Sequence, residues 1–209
     1  MRTTESRRAA PRWPLGIAAL AALCCGVGNT AAAPEGRFEA DNSGDLAQLM
    51  ALLAQRRHAQ ATFEQTQYLA LLKHPIRSSG VLSYDAPDHL EQRTLEPRPQ
   101  AAVLDHGILT VRLGTRERTL DLKDYPQLAP LLDGLCATLA GDRQALERGF
   151  ALEFTGNVAQ WQLVLRPLDA QLGATLERIS LRGRGAAVLE MEVRQRDGDH
   201  SLLHITPFE

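Results

Sequence analysis

Short β-forming segments separated by turn signals run through most of this chain and are interrupted once, by a leucine-rich stretch. Strands are predicted at residues 60–72, 81–84, 89–95, 101–104, 108–113 and 118–122, and again at 150–154, 161–167, 175–182, 187–194 and 201–207. The connections are short, and Asp105-His106-Gly107 is a typical hairpin turn. Neighbouring strands are therefore expected to pair antiparallel. A sheet of this many strands must curl, because strand twist accumulates.

Helices are predicted at three places beside this sheet. The first covers residues 45–57, where Leu46, Leu49, Met50 and Leu53 share one face and the final turn contains Arg56 and Arg57. The second follows the leucine-rich stretch, with Leu128, Leu131, Leu132, Leu135 and Leu139 at helical spacing, and it is stopped by Gly141. Asp142 caps a short third helix, 142–148. The fold class predicted is α+β, with helices covering the concave face of a strongly curved antiparallel sheet.

The space between such a sheet and its helices has two possible contents. Side chains of the helices can fill it, which gives an ordinary core, and apolar stripes usually are core. If the helices only cover it, the remaining hollow can accept an acyl chain. Periodicity alone favours the filled core and does not exclude the hollow.

The first 32 residues are predicted to be a secretory signal peptide. Four arginines precede the uncharged run from Leu15 to Val27, and small residues follow it up to Ala33. This run is shorter than the roughly 20 residues of a membrane-spanning helix. Cleavage after Ala32 would leave one domain, 33–209, in the periplasm. That domain has a single cysteine, Cys136, and therefore no internal disulfide.

Charge argues against a nucleic-acid partner. The chain has 23 basic and 25 acidic side chains, and removal of residues 1–32 takes away four of the arginines and one glutamate, which leaves a net charge of −5. Such a domain lacks the positive charge that phosphate backbones attract. We expect no nucleic acid among its partners.

The sequence contains no pattern of catalytic or metal-ligating residues. None of the six histidines is part of a metal-ligand spacing; they are His58, His74, His89, His106, His200 and His204. The sequence also lacks the G-x-S-x-G motif of a serine nucleophile. A nucleophile, a base and an orienting group cannot be assembled from this sequence. We therefore expect a protein that is not an enzyme, with no catalytic residues, no bound metal and no cofactor.

Several short motifs, taken together, carry a family resemblance. Phe63-Glu64-Gln65 lies on the first strand, Ser79-Gly80-Val81-Leu82-Ser83-Tyr84 on the second, and Ala86-Pro87-Asp88 opens the third. With the signal peptide, the preceding helix and the Asp105 hairpin, this arrangement resembles the periplasmic carriers of outer-membrane lipoproteins, the LolA-like proteins. The resemblance extends over almost the whole chain after residue 32.

The resemblance implies an incomplete barrel lidded by helices around a hydrophobic cavity for acyl chains. It implies a monomeric carrier that takes a lipoprotein or lipid from an inner-membrane donor to an outer-membrane acceptor. Lipid-binding residues of the cavity wall would be Phe63, Gln65, Leu82, Tyr84, Leu90, Leu109, Val111 and Leu113. Those of the lid would be Leu128, Leu131, Leu132 and Leu135.

The chain also departs from the family pattern. Many carriers have arginine before the proline that opens the third strand, where this chain has Ala86, and residues 89–92 are more polar than usual. Two alternatives to a general lipoprotein carrier therefore stay open. One is a specialised relative that carries the lipid or polyene-type product of a dedicated pathway. The other is a regulatory or scaffold protein that uses the same fold to bind a partner. An acyl-transferring or hydrolytic enzyme also stays open as a class, although the sequence shows no motif for one.

Overall fold

The computed structural model describes residues 43–125 and 128–208. The predicted signal peptide and its cleavage site lie outside these residues. Helices are α1 (Ser43–Ala54), α2 (Ala129–Ala140), α3 (Arg143–Gly149) and α4 (Ala170–Thr175), with a 3₁₀ turn at Leu122–Asp124. The strands are β1 (His58–Tyr68), β2 (Ile76–Asp85), β3 (His89–Glu96), β4 (Gln100–Asp105), β5 (Ile108–Leu113), β6 (Arg116–Asp121), β7 (Phe150–Asn157), β8 (Gln160–Pro167), β9 (Leu176–Arg184), β10 (Ala187–Gln195) and β11 (His200–Pro207).

All eleven strands form one antiparallel sheet, which confirms the predicted fold class. Their order is β6-β5-β4-β3-β2-β1-β11-β10-β9-β8-β7, so two meanders meet where β1 pairs with β11. The edge strands are β6 and β7, and the described residues do not close the sheet into a barrel. Because of this order, the first and last strands of the domain lie side by side at the centre of the sheet.

Alternation along the strands separates a buried inner face from an exposed outer face. On β1 the side chains of Ala61, Phe63, Gln65 and Gln67 are buried, whereas those of Thr62 and Glu64 are exposed. This period of two is what a sheet covered on one face requires. Helices α1 and α2 cover the inner face, and α2 also packs against α3.

The helical stripes predicted from the sequence lie in the core. The four residues of the predicted stripe on α1 are buried, as are Leu131, Leu132 and Leu135 of α2. Helix α2 ends at Gly141, whose φ of 66° lies in the left-handed region. The Asp142 carboxylate then accepts a hydrogen bond from the Ala145 amide at 2.9 Å, which confirms the predicted cap of α3.

Some predicted boundaries are wrong. Helix α1 ends at Ala54, so Arg56 and Arg57 lie beyond its last turn. Strand β2 begins at Ile76 rather than Val81, and its pairing to β3 shifts register between Ser79 and Gly80. Helix α4 was not predicted; the Asp169 carboxylate caps it by accepting the Leu172 amide at 2.8 Å.

The hairpin predicted at Asp105-His106-Gly107 is confirmed, and its turn consists of two residues. His106 (φ 49°) and Gly107 (φ 76°) both have positive φ between the paired residues Asp105 and Ile108. Positive φ at both central positions is typical of a type I′ turn, whose twist matches that of the flanking strands. Across the described residues, no helix has the length and apolar character needed to cross a membrane.

Candidate ligand-binding pocket

An apolar pocket lies between the inner face of the sheet and the helices α1 and α2. Central strands supply its wall; the residues are Ala59, Gln60, Ala61, Leu82, Ser83, Tyr84, Leu90, Leu181, Val188, Met191, Leu203, Ile205 and Pro207. The cover comes from Leu53 of α1 and from Leu135, Thr138 and Leu139 of α2. Arg56 and Ala186 complete the lining. The cavity has a volume of about 130 Å³ and is partly open to solvent.

Small side chains on β1 account for the hollow. Ala59 is paired with Tyr84, and Ala61 lies between Leu82 on one side and Pro207 on the other. One pleat further along the same face, Phe63 is 2% exposed and fills the corresponding space. The pocket therefore begins where β1 changes from a large to a small inward residue.

The cavity is small in this conformation. Its 130 Å³ is close to the ~150 Å³ of an engineered apolar cavity that accepts benzene. Accommodation of a whole acyl chain would require outward movement of the cover, in which Leu139 is already only half-buried.

The structure brings four of the twelve predicted site residues together at this pocket: Leu82, Tyr84, Leu90 and Leu135. The other eight do not line it. Phe63 and Gln65 lie deeper along β1, and Leu109 and Val111 are buried on β5 with Leu113 half-buried beside them. Leu128, Leu131 and Leu132 are buried in the core. Lipid binding by these residues stays a prediction.

Sequence reasoning missed the half of the wall that comes from the carboxy-terminal meander. Met191, Leu203 and Ile205 lie there because β11 pairs with β1 and β10 pairs with β11. Alternation marks these residues as inward-facing. What the sequence did not provide was the pairing of the first strand with the last, which closes the pocket from the second side.

Two hydroxyl groups of the lining, those of Tyr84 and Thr138, are bonded within the protein. The Tyr84 hydroxyl donates to the Pro87 carbonyl at 3.2 Å, and the Thr138 hydroxyl donates to the Gly134 carbonyl at 2.7 Å. Burial raises the pKa of Tyr84 to about 12, with smaller contributions from Cys136 and Asp88. Tyr84 is therefore a neutral phenol at physiological pH.

No histidine, cysteine, aspartate or glutamate lines the pocket among the described residues. Three histidines lie instead at a nearby end of the sheet, where His58 bonds to Asp85 and the exposed Asp105 carboxylate bonds to His89 and His106. These bonds lower the pKa of Asp105, that with His106 most, and raise that of His106. The described part of the chain contains no group of three residues suited to hold a metal.

A second cavity, of about 450 Å³, lies between α2, α3 and the start of β7. Its lining includes Asp133, Arg148 and Cys136 and is more polar than that of the first. Burial raises the pKa of Asp133, and it raises that of Cys136 to about 12. The Cys136 thiol is therefore protonated and a poor nucleophile.

Residues 39–205 match the family described as outer membrane lipoprotein carrier protein, LolA-like. The chain belongs to this family. No curated protein matches the sequence.

Solved structures with a similar fold are only distantly related in sequence. A LolA superfamily protein from Nitrosomonas europaea is 10% identical, with a TM-score of 0.41, and the match covers 76% of this chain and 90% of that one. The lipoprotein LppX of Mycobacterium tuberculosis is 11% identical, with a TM-score of 0.42 and coverage of 79% and 95%. The Pseudomonas aeruginosa MucA/MucB complex is 16% identical, with a TM-score of 0.44, and the match covers 78% of this chain and 56% of that one.

Ala86 is the position at which the sequence of this LolA-like chain was found to depart from the family pattern. The Ala86 amide donates to the Arg57 carbonyl at 2.8 Å, which ties the segment after α1 to the β2–β3 connection. The same segment contains Arg56, one of the residues that line the pocket.

Proposed function

We propose that this LolA-like protein is a non-catalytic periplasmic carrier that binds the acyl chain of a lipoprotein or lipid and moves it toward the outer membrane. The observation that carries the proposal is the apolar pocket, whose described lining contains no histidine, cysteine, aspartate or glutamate. Such a surface can bind hydrocarbon, and it lacks the imidazole, thiol and carboxylate groups that most often supply acid–base catalysis in ester hydrolysis.

Hydrocarbon burial supplies the driving force for binding. Each buried CH2 group contributes about 0.8 kcal/mol, so a chain of ordinary length gains much more than a single hydrogen bond provides. The cargo must also leave again, which requires a cover that opens at modest cost. Leu135 and Leu139 are suited to this role, since leucine is apolar and makes no directional bond.

Export and the membrane partners belong to the same proposal. The predicted signal peptide supports a periplasmic location, as does membership of a family described as outer-membrane lipoprotein carriers. A soluble carrier between two membranes needs a donor at the inner membrane and an acceptor at the outer membrane. We propose both, with the carrier acting as a monomer.

A plugged pocket tests the function. Ala59→Trp adds a large side chain at the half-buried wall position, and Thr62→Trp adds the same side chain to the exposed outer face of the same strand. We expect purified wild-type protein to bind a fluorescent fatty-acid analogue and to retain a lipid detectable by mass spectrometry. Ala59→Trp should lower both signals at least about tenfold, while Thr62→Trp should leave them unchanged.

Circular dichroism would check that both variants fold. Failure of the wild-type protein to bind any acyl compound would reject the carrier function. Equal binding by the two folded variants would place the lipid elsewhere in the molecule.

A further inference from the structure

Arg56 is held in a fixed position at the rim of the pocket. Its amide donates to the Leu53 carbonyl at 2.9 Å, which continues the last turn of α1, and the next residue is tied to Ala86. Both ends of this short segment are therefore anchored, one to the helix and one to the β2–β3 connection. The Arg56 side chain leaves the backbone at a defined point beside the cavity.

The guanidinium crosses the rim and bonds to the opposite side. Its Nη1 donates to the carbonyl oxygen of Ala186 at 3.0 Å, in the turn between β9 and β10. Both residues line the pocket. Arg56 thus links the end of α1 to the carboxy-terminal meander over an otherwise apolar space.

Arg56 differs from the other half-buried arginines of the described residues, because it forms no ion pair with a carboxylate. Each of the other four forms an ion pair with a glutamate; the pairs are Arg143–Glu147, Arg166–Glu153, Arg178–Glu177 and Arg194–Glu192. The acceptor of Arg56 is a neutral carbonyl. No aspartate or glutamate of the described chain lines the pocket beside it.

A half-buried cation with one neutral acceptor is a ready site for an anion. Arginine has five N–H donors in a planar fork that matches a carboxylate or a phosphate, and charge-assisted bonds to such groups are about twice as strong as neutral ones. An acyl chain in the pocket would bring its head group to the rim, where Arg56 lies.

We propose that the ligand of this pocket is an anionic amphiphile, whose chain occupies the apolar wall and whose carboxylate or phosphate head group is bound by Arg56. This inference rests on the proposed carrier function and narrows the class of cargo. It favours a fatty acid or an acidic phospholipid over a lipid whose head group carries no charge.

The test compares ligands that share one chain. The full protein is titrated at pH 8 with dodecanoate, with dodecan-1-ol and with acetate, against wild type, Arg56→Gln and Arg57→Gln. Arg57→Gln is the matched control, because it removes the same charge from the neighbouring, exposed side chain outside the pocket lining. Isothermal titration calorimetry measures the dissociation constants, and circular dichroism confirms folding.

For the wild-type protein, the dissociation constant of dodecanoate should be at least about tenfold lower than that of dodecan-1-ol, as expected from one charge-assisted bond. Arg56→Gln should abolish that difference by weakening dodecanoate alone, and Arg57→Gln should preserve it. Equal affinities for the two ligands in wild type, or an equal effect of the two variants, would overturn the role of Arg56 while leaving the carrier intact. Tight binding of acetate would also overturn the proposal, because the anion site would then be independent of the acyl chain. Failure of both long-chain ligands to bind would instead reject the carrier function.

Discussion

Gly141 lies directly against the backbone of Met50, where the end of α2 meets α1. A β-carbon at Gly141 would be 2.2 Å from the Met50 carbonyl oxygen and 2.7 Å from the Ala54 nitrogen. The residue also has a φ of 66°, which side chains disfavour. The two helices that cover the pocket therefore touch backbone to backbone at a position that only glycine fits.

Gly141→Ala should lower the free energy of unfolding by about 2–5 kcal/mol, since left-handed strain and overpacking add. The control is Gly107→Ala, which has a φ of 76° but no atom within 4 Å of the new β-carbon. That variant should lose only the strain, about 1–2 kcal/mol. Urea unfolding followed by circular dichroism measures both, and equal losses would show that the helix contact is unimportant.

Alkaline pH should weaken the fold through Cys136. Burial raises the pKa of this thiol from 9.0 to about 12, and burial raises that of Tyr84 to about 12. An acid whose pKa is higher in the folded state keeps its proton there, whereas the unfolded chain releases it. The stabilisation is complete below pH 9 and is lost as the pH rises from about 9 toward 12.

Cys136→Ala should therefore flatten the fall of the urea midpoint between pH 9 and 11 relative to wild type. Its stability at pH 7 serves as the reference, because the substitution also removes some buried volume. If the urea midpoint falls equally with pH in both proteins, the Cys136 thiol does not contribute to the loss of stability at alkaline pH.

Asp169 should contribute to stability as the cap of α4. Its carboxylate accepts the Leu172 amide at 2.8 Å, and Leu172 is fully buried. Asp169→Ala should cost about 1 kcal/mol. Gln171→Ala, at an exposed position of the same helix, should cost little. Thermal unfolding of the two variants compares them, and similar melting temperatures would contradict the capping role.

The sequence predicted the fold better than the pocket. Strand alternation, the helical leucines and the stop at Gly141 are local signals, so they indicated the elements and the face that each one buries. Helix α4 was missed because it has six residues, too few to show a period. The start of β2 was missed because the polar Ser78-Ser79-Gly80 stretch, where the pairing to β3 shifts register, has the composition of a turn.

Whether a residue lines the pocket depends on its position along the strand as well as on the face of the sheet from which it points. Phe63 and Ala61 point the same way from β1, yet one fills the core and the other lines the cavity. Whether a small residue leaves a hollow also depends on its cross-strand neighbours, and those on one side come from β11, about 140 residues later in the chain. Pairing between such distant segments is not encoded in any local pattern.

Two leucines of α2 separate the role of the cover from that of the core. Leu139 is half-buried and lines the pocket, whereas Leu132 is 0% exposed and lies in the hydrophobic core. Leu132→Glu should bury an unpaired carboxylate and destabilise the protein by more than about 4 kcal/mol. At Leu139 the carboxylate can reach water, so Leu139→Glu should cost no more than about 1 kcal/mol while placing a negative charge beside the acyl chain. We expect Leu139→Glu to fold and to lose most binding of a fluorescent fatty acid, and Leu132→Glu to be recovered poorly from expression. Full binding by folded Leu139→Glu would mean that α2 does not contact the ligand.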